Sequence, residues 1–326
     1  MNKQSPGSTA TVIQTFLVDV FSPDMRLYNN GLCQVMLLVE IVADMQLSPS
    51  EIATLRIVDG ITKLEIPMVD SSLPVPARTW GASKERNLYD FHPGTRKAAR
   101  DSSRAGEFFQ FYVQTADQSN ARKRLAASIE LDSGLKVYST DVSGSDSYVE
   151  VLAVEASPQP ISAWETQWND SMKFDVADGK SVTVYFLGLT VNGASREIRD
   201  IQVGEDGYAS AFRWLAVSAK TGAFCGFAAP PTDDQRVQSF TYSQPQFIGT
   251  YRLDNNESPR TGCAAVAFIH DLKLGNYQSA ANGPHITYQM RDQYGTLSRV
   301  RLSITEKCDE MQLSLAADDG SSLDGQ

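Results

Sequence analysis

The chain is 326 residues long, 42% hydrophobic and 21% charged, with a net charge of −10. No apolar run reaches the roughly 18–20 residues that a membrane-crossing helix needs, and the acidic balance opposes nucleic acid as a partner. The length suits two domains, each with a core of its own. The start, MNKQSPGSTATVIQTF, has one lysine and a polar stretch before its first apolar run. That pattern predicts cytoplasmic synthesis without a Sec-type signal, with release by lysis or dedicated export left open.

Tight-turn pairs recur at Asn30-Gly31, Asp59-Gly60, Asp178-Gly179, Asn192-Gly193 and Asp206-Gly207. Such pairs reach positive φ at little cost and suit hairpins between short strands. Runs rich in valine, isoleucine and aromatics predict strands over 11–21, 34–42, 55–58, 63–69, 108–115, 126–131, 135–139 and 148–154. Ser48-Pro49-Ser50-Glu51 predicts one short helix, with Ser48 as cap, Pro49 first and Glu51 three residues after the cap. The stretch 71–106 holds Pro74, Pro76, Trp80 and Pro93. An irregular segment that long predicts partner contacts.

Residues 156–180, with Pro158, Pro160, Trp164 and Trp168, break the strand rhythm and predict a crossover between domains 1–155 and 181–326. Beyond it, strands are expected over 181–191, 197–203, 211–217, 247–253, 264–269 and 311–315. Alternation at Ile286, Tyr288 and Met290, then at Val300, Leu302 and Ile304, predicts a half-buried hairpin turning at Asp292-Gln293-Tyr294-Gly295. The fold class read from these runs is all-β: two β-sandwich-like domains joined by a Pro/Trp-containing crossover.

Charge is uneven when cut at residue 124: 14 Lys/Arg against 13 Asp/Glu before it, 15 against 26 after it. Arg96, Lys97, Arg100 and Arg104 form one basic cluster, and Arg122, Lys123 and Arg124 form a second. They read either as solvated loop charges or as a patch that docks on the acidic half of another copy. Trp80, Tyr89, Phe91, Trp164 and Trp168 read either as core or as a stacking surface for a glycan or protein. Trp80 and Tyr89 join the two basic clusters as the candidate partner surface.

Catalytic and cofactor patterns fail on their own geometry. Gly179-Lys180-Ser181 ends like a Walker loop, but the glycine required five residues earlier is Phe174. No G-x-G-x-x-G or G-x-S-x-G string occurs, and His92, His270 and His285 show no i, i+4 pairing. Cys263 and His270 flank one apolar run, which as a strand would hold them about 20 Å apart. The acidic stretches 141–146 and 254–257 lack EF-hand spacing. Cys33, Cys225, Cys263 and Cys308 have no C-x-x-C pair and read first as buried thiols. No cofactor, metal or nucleotide is predicted.

Three strings resemble those of a group of uncharacterised β-rich proteins of Gram-negative bacteria. They are Leu27-Tyr28-Asn29-Asn30-Gly31-Leu32-Cys33-Gln34-Val35, then Phe111-Tyr112-Val113-Gln114-Thr115 leading into 125–129, then Asp292-Gln293-Tyr294-Gly295. The resemblance implies a bacterial origin and a shared β fold, and it transfers no site residues. The sequence is thus read first as a non-enzymatic, self-associating β subunit of a bacterial or phage-derived particle, filament or appendage. A secreted, toxin-like protein recognising a host surface protein or glycan is the alternative, and a hydrolase without a recognisable motif comes third.

Overall fold

A computed structural model describes residues 11–95, 106–142, 146–176, 180–203, 213–218, 221–229, 237–244, 247–254, 262–271, 285–304 and 311–315. The chain separates into two compact units, Met1–Ala156 and Ser157–Gln326. Strands dominate both, so the all-β class is met. Among the described residues no helix is long and apolar enough to cross a membrane.

Unit 1 carries β1 (Ile13–Val20), β2 (Arg26–Tyr28), β3 (Gln34–Ala43), α1 (Pro49–Thr54), β4 (Arg56–Asp59), β5 (Trp80–Ser83), β6 (Glu107–Thr115), β7 (Arg122–Glu130), β8 (Lys136–Tyr138) and β9 (Val149–Val154). Sheet A is antiparallel in the order β1-β3-β6-β5. Sheet B runs β2-β9-β7-β4, with β8 added to β7 and β2 parallel to β9. Strand alternation decides the inner faces. Phe16, Leu37, Val39 and Phe111 of sheet A share one core with Leu27, Ile57, Leu125, Ile129 and Val151 of sheet B. Unit 1 is therefore a β-sandwich.

The Ser48 cap forms as the sequence requires. Ser48 Oγ accepts the Glu51 N–H, and Glu51 Oε2 accepts the Ser48 N–H at 2.9 Å. Glu51 is buried because Oε1 also takes the Asp132 N–H at 3.1 Å, which fastens α1 to the turn after β7.

Residues 63–69, expected as a strand, instead form a connector between the two sheets. Asp59 N bonds Leu64 O and Ile66 N bonds Ile57 O on β4, while Val69 N bonds Ala82 O and Ala82 N bonds Pro67 O on β5. Pro67 has no N–H to offer a ladder, so only its carbonyl takes part. The described part of the long irregular stretch is also held down. Asn87 donates through Nδ2 to Leu32 O and Ser71 O and through its own N–H to Gln34 Oε1. Gln34 and Gln114, both fully buried, bond each other at 3.2 Å, and Gln114 reaches Leu73 O.

Unit 2 opens with a 3-10 turn (Ile161–Ala163). Its strands are β10 (Trp164–Val176), β11 (Lys180–Val191), β12 (Ala194–Arg196), β13 (Ile198–Val203), β14 (Arg213–Ser218), β15 (Thr221–Ala229), β16 (Val237–Gln244), β17 (Phe247–Asp254), β18 (Ala264–Asp271), β19 (His285–Asp292), β20 (Leu297–Ile304) and β21 (Met311–Leu315). Sheet C is β10-β11-β18-β15-β14 with β12 on β11; sheet D is β13-β19-β20-β21; β16 and β17 pair with each other. Much of the stretch expected as a crossover is thus an edge strand: Trp164 pairs with Leu189 and Val176 with Lys180. The mixed polar sequence misled because β10 carries a bulge, five positions from Trp168 to Lys173 facing two from Tyr185 to Thr183.

Turn chemistry places the other connections. Asn192 (φ 51°) and Gly193 (φ 76°) make the two-residue hairpin between β11 and β12. Asn30-Gly31 joins strands of different sheets, Asp59-Gly60 opens the loop after β4, and Asp178-Gly179 and Asp206-Gly207 lie outside the described residues.

Ser139 bridges the point where the edge of β7 passes from β8 to β9. It is fully buried; Oγ accepts the Ala127 N–H at 3.0 Å and donates to Ser147 O at 2.7 Å. Ser139→Ala strands both backbone groups and is expected to cost about 1–3 kcal/mol. The urea-unfolding midpoint measures this, and an unchanged midpoint would refute the bridge.

Candidate functional site

Of the residues singled out by sequence, Arg96, Lys97, Arg100 and Arg104 lie outside the described residues. Trp80 and Tyr89 are corrected from partner surface to interior, at 6% and 4% exposure. Trp80 belongs to the short strand β5 and packs into the core, with Nε1 donating to Asp117 Oδ2 at 2.8 Å. Trp164 is buried as well.

Arg122, Lys123 and Arg124 do not form one patch, because alternation along β7 splits them. Arg122 and Arg124 point away from the core, where Glu150 of β9 sits opposite Arg124. Arg122 Nη1 lies 2.7 Å and Arg124 Nε 3.9 Å from that carboxylate, and the Arg124 guanidinium lies 5.0 Å from the Tyr148 ring centre. Lys123 turns to the other side and meets Asp59 Oδ2 at 3.0 Å. Partial burial raises the Asp59 carboxyl, but the Thr62 N–H, the Lys123 ammonium and the Ile61 N–H outweigh it and lower it to about 2.

A second cluster on the same outer face was not foreseen. Lys63, at φ 62°, projects over the Tyr138 ring at 5.1 Å and bonds Thr140 Oγ1 and Asp141 Oδ1. Lys136 lies 5.9 Å from the same ring and bonds Glu65 at 2.7 Å. That bond holds the Lys136 ammonium above and the Glu65 carboxyl below their ordinary values. Next to these cations in sequence, Ile61, Leu64 and Leu135 are exposed at 70%, 69% and 60%, but Leu64 and Leu135 alternate in phase with the core-side Ile66 and Val137. Tyr138 sits opposite Ser128 and Arg124 opposite Glu150, so both clusters share the outer face of sheet B. Between them Val58, Ala126 and Ser128 also face outward yet are fully buried, and Ser128 Oγ has no hydrogen-bond partner among the described residues. The meeting of Lys63 with Tyr138 requires the register.

The cut at residue 124 also misplaced the charge. By structural unit the balance is 15 Lys/Arg against 19 Asp/Glu for residues 1–156 and 14 against 20 for 157–326, or −4 and −6. There is no basic half to set against an acidic one.

His92 is in contact with a carboxylate. Its Nδ1 lies 3.1 Å from Asp24 Oδ2, which also receives Arg26 Nε at 2.7 Å. The site borders a shallow depression of about 580 Å³ lined by Pro23, Asp24, Arg26, Pro93, Gly94 and Thr95. Burial raises the Asp24 carboxyl, but its bonds to Arg26 outweigh that and hold it low. An acid–base–nucleophile arrangement needs a hydroxyl or thiol within hydrogen-bond reach of the base. Ser22 Oγ instead bonds Asp24 O, and Cys33 Sγ bonds Asp90 O. Cys263 and His270 sit before and near the far end of β18, too far apart to cooperate. Among the described residues no three His, Cys, Asp or Glu side chains gather as a metal site.

The Asp59 carboxylate gives a pH-dependent test of the β4–β7 junction. Its folded-state value lies below the ordinary 3.8, so its contribution is fully present above that value and is lost as pH falls through about 2. Asp59→Ala should lower stability by about 2–3 kcal/mol at pH 7. The gap to the wild-type chain should narrow in urea titrations below pH 3.8, and a gap constant from pH 7 to pH 2.5 would exclude an ionic role.

No family model matches the chain, and no curated protein matches it. Among solved structures, the collagen binding domain of Erysipelothrix rhusiopathiae surface protein RspB aligns over 93% of this chain and 94% of its own at 10% identity. The TM-score is 0.13, too low for that likeness to bear on fold or function.

Proposed function

We propose that this chain acts by contact rather than by catalysis, with the outer face of sheet B in unit 1 as its binding surface for another protein. The carrying observation is that two cation–tyrosine clusters share that face. Tyrosine and arginine are enriched at interface centres, and side chains already held by neighbours lose little entropy on docking. The engaged His92 and the covered strand edges support the same reading. They leave a face, rather than a catalytic centre or a free edge, as the accessible feature.

A host surface protein fits this face best, and a glycan would use the same tyrosines. The second reading is self-association, which would make the chain a subunit of a bacterial or phage-derived particle, filament or appendage. The net charge of −10, opposed to the cations of this face, favours it. The balanced units remove its stronger argument, the segregation of charge.

The test pairs light scattering after size-exclusion chromatography with binding to a panel of extracellular-matrix proteins and a glycan array. Tyr138→Ala with Tyr148→Ala should weaken any captured partner at least about tenfold while shifting stability by no more than about 1 kcal/mol. A concentration-dependent oligomer abolished by the same pair would select self-association. Binding or assembly untouched by the pair would sink the assignment of this face.

A further inference from the structure

We propose that Asn87–Thr95 is an acid-released strap over the outer face of sheet A, latched by the contact between His92 and Asp24. This inference is independent of the sheet B reading. The strap covers apolar surface: Phe91 stacks on Tyr112 with ring centres 6.4 Å apart and planes at 4°, and Tyr112 faces outward from β6 opposite Met36 of β3. Tyr89 is buried beneath it, and Asp90 O accepts the Cys33 Sγ–H at 3.8 Å.

The two ends of the strap are fastened by different chemistry. At Asn87 the bonds run to Leu32 O, Ser71 O and Gln34 Oε1, all uncharged groups that do not change between pH 7.5 and 5. At the other end the fastening is His92 Nδ1 on Asp24 Oδ2 and the seating of Gly94 on Pro23, where a Cβ would lie 2.4 Å from Pro23 O. The imidazole is only 9% exposed and its ring centre is 4.8 Å from that of Tyr28. The adjoining depression between Pro23, Arg26 and Thr95 gives water a route to the latch.

Among the described residues the charged groups around the latch are Asp24, Arg26, Arg86 and Asp90. Asp24, from the turn before β2, attracts a protonated His92, but its carboxylate already holds the Arg26 guanidinium at 2.6 Å. Arg26 of β2 repels the same proton, and Tyr28 of β2 contributes a neutral ring. Asp90 of the strap is paired at 3.7 Å with Arg86, the residue just before it. Burial, followed by Arg26, outweighs Asp24 and holds the imidazole below its ordinary value. The closed strap therefore favours neutral His92, and acid favours conformations with the ring in water. The sign follows from linkage: the open fraction rises as pH drops below about 6.5 and levels off below the closed-state value. The ceiling at pH 5 is about thirtyfold, the ratio of 10 raised to the 1.5-unit difference.

Cys33 reports the opening. The full chain is reacted with 4,4′-dithiodipyridine, which attacks thiols at acid as well as neutral pH, and Cys33 is quantified by peptide mass spectrometry against the urea-unfolded chain at the same pH. The normalised Cys33 rate should rise from pH 7.5 to 5.0, within that ceiling of about thirtyfold, and stay flat in His92→Gln. Hydrogen exchange of the wild-type chain gives a second readout that needs no variant. After correction for intrinsic rates, amides of 87–95 should lose protection at pH 5.0 while those of β3 and β6 keep it. Unchanged protection of both Cys33 and 87–95 in the wild type, or an undiminished pH response in His92→Gln, overturns the proposal.

Discussion

A sandwich leaves outward N–H and C=O groups along its end strands, and each needs a partner or becomes a site for stray pairing. In unit 1 one short connector, Leu64 to Val69, meets that need on two sheets at once. Its first half bonds β4 of sheet B, and its second half bonds β5 of sheet A. Gly81 makes the close approach possible, since a Cβ there would meet Val69 and Val75 methyls at 2.7 Å. On β1, Ser147 Oγ accepts the outward Val18 N–H at 2.8 Å, and Asp19 Oδ1 accepts that of Val20 at 2.7 Å.

The outer face of sheet B shows why a basic run in sequence is a poor guide to a basic surface. Three consecutive cations on a strand cannot point the same way, and register decides what each one meets. Arg124 meets Glu150 and Tyr148, whereas Lys123 meets Asp59 across the sheet. Exposed ion pairs such as Arg122–Glu150 add little stability, about 0–1 kcal/mol each, so their effect is chiefly to hold long side chains in fixed positions. A face of pre-placed cations and rings is the outcome.

Alternation and capping made much of the fold legible. The β19–β20 hairpin, β21 and the Ser48 cap sit where the residues alone put them, because each rests on a local pattern. The misses share a physical cause in long-range pairing. Strands β2 and β5, three and four residues long, carry no period to read and exist only because β9 and β6 lie beside them. The connector imitates a strand through Leu64, Ile66 and Met68, but only Ile66 is buried. The three strings that carried the resemblance likewise mark architecture. Gly31, at φ 79°, donates to Thr115 O at 2.8 Å, so the first two strings meet at one end of the sandwich. The third is a turn in unit 2 organised by Asp292, which accepts from Tyr294 N, Thr296 N and Arg196. None of the candidate site residues on sheet B belongs to these strings, which is why a motif reading passed over them.

The two sheets of unit 1 finish their outer faces by different means, and the difference bears on which can meet a partner. On sheet B the rings of Tyr138 and Tyr148 and the cations held over them lie on the outer face. Sheet A covers Tyr112 and Met36 with a length of backbone, whose removal costs the Asn87 bonds, the Phe91 stack and the burial of Tyr89 together. A partner reaching the cations and rings of sheet B meets side chains already held in place, whereas one reaching the covered part of sheet A must first supply the free energy to lift the strap. Under neutral conditions the sheet B face is therefore the accessible one, and any role for the face beneath the strap depends on conditions that open the His92 latch.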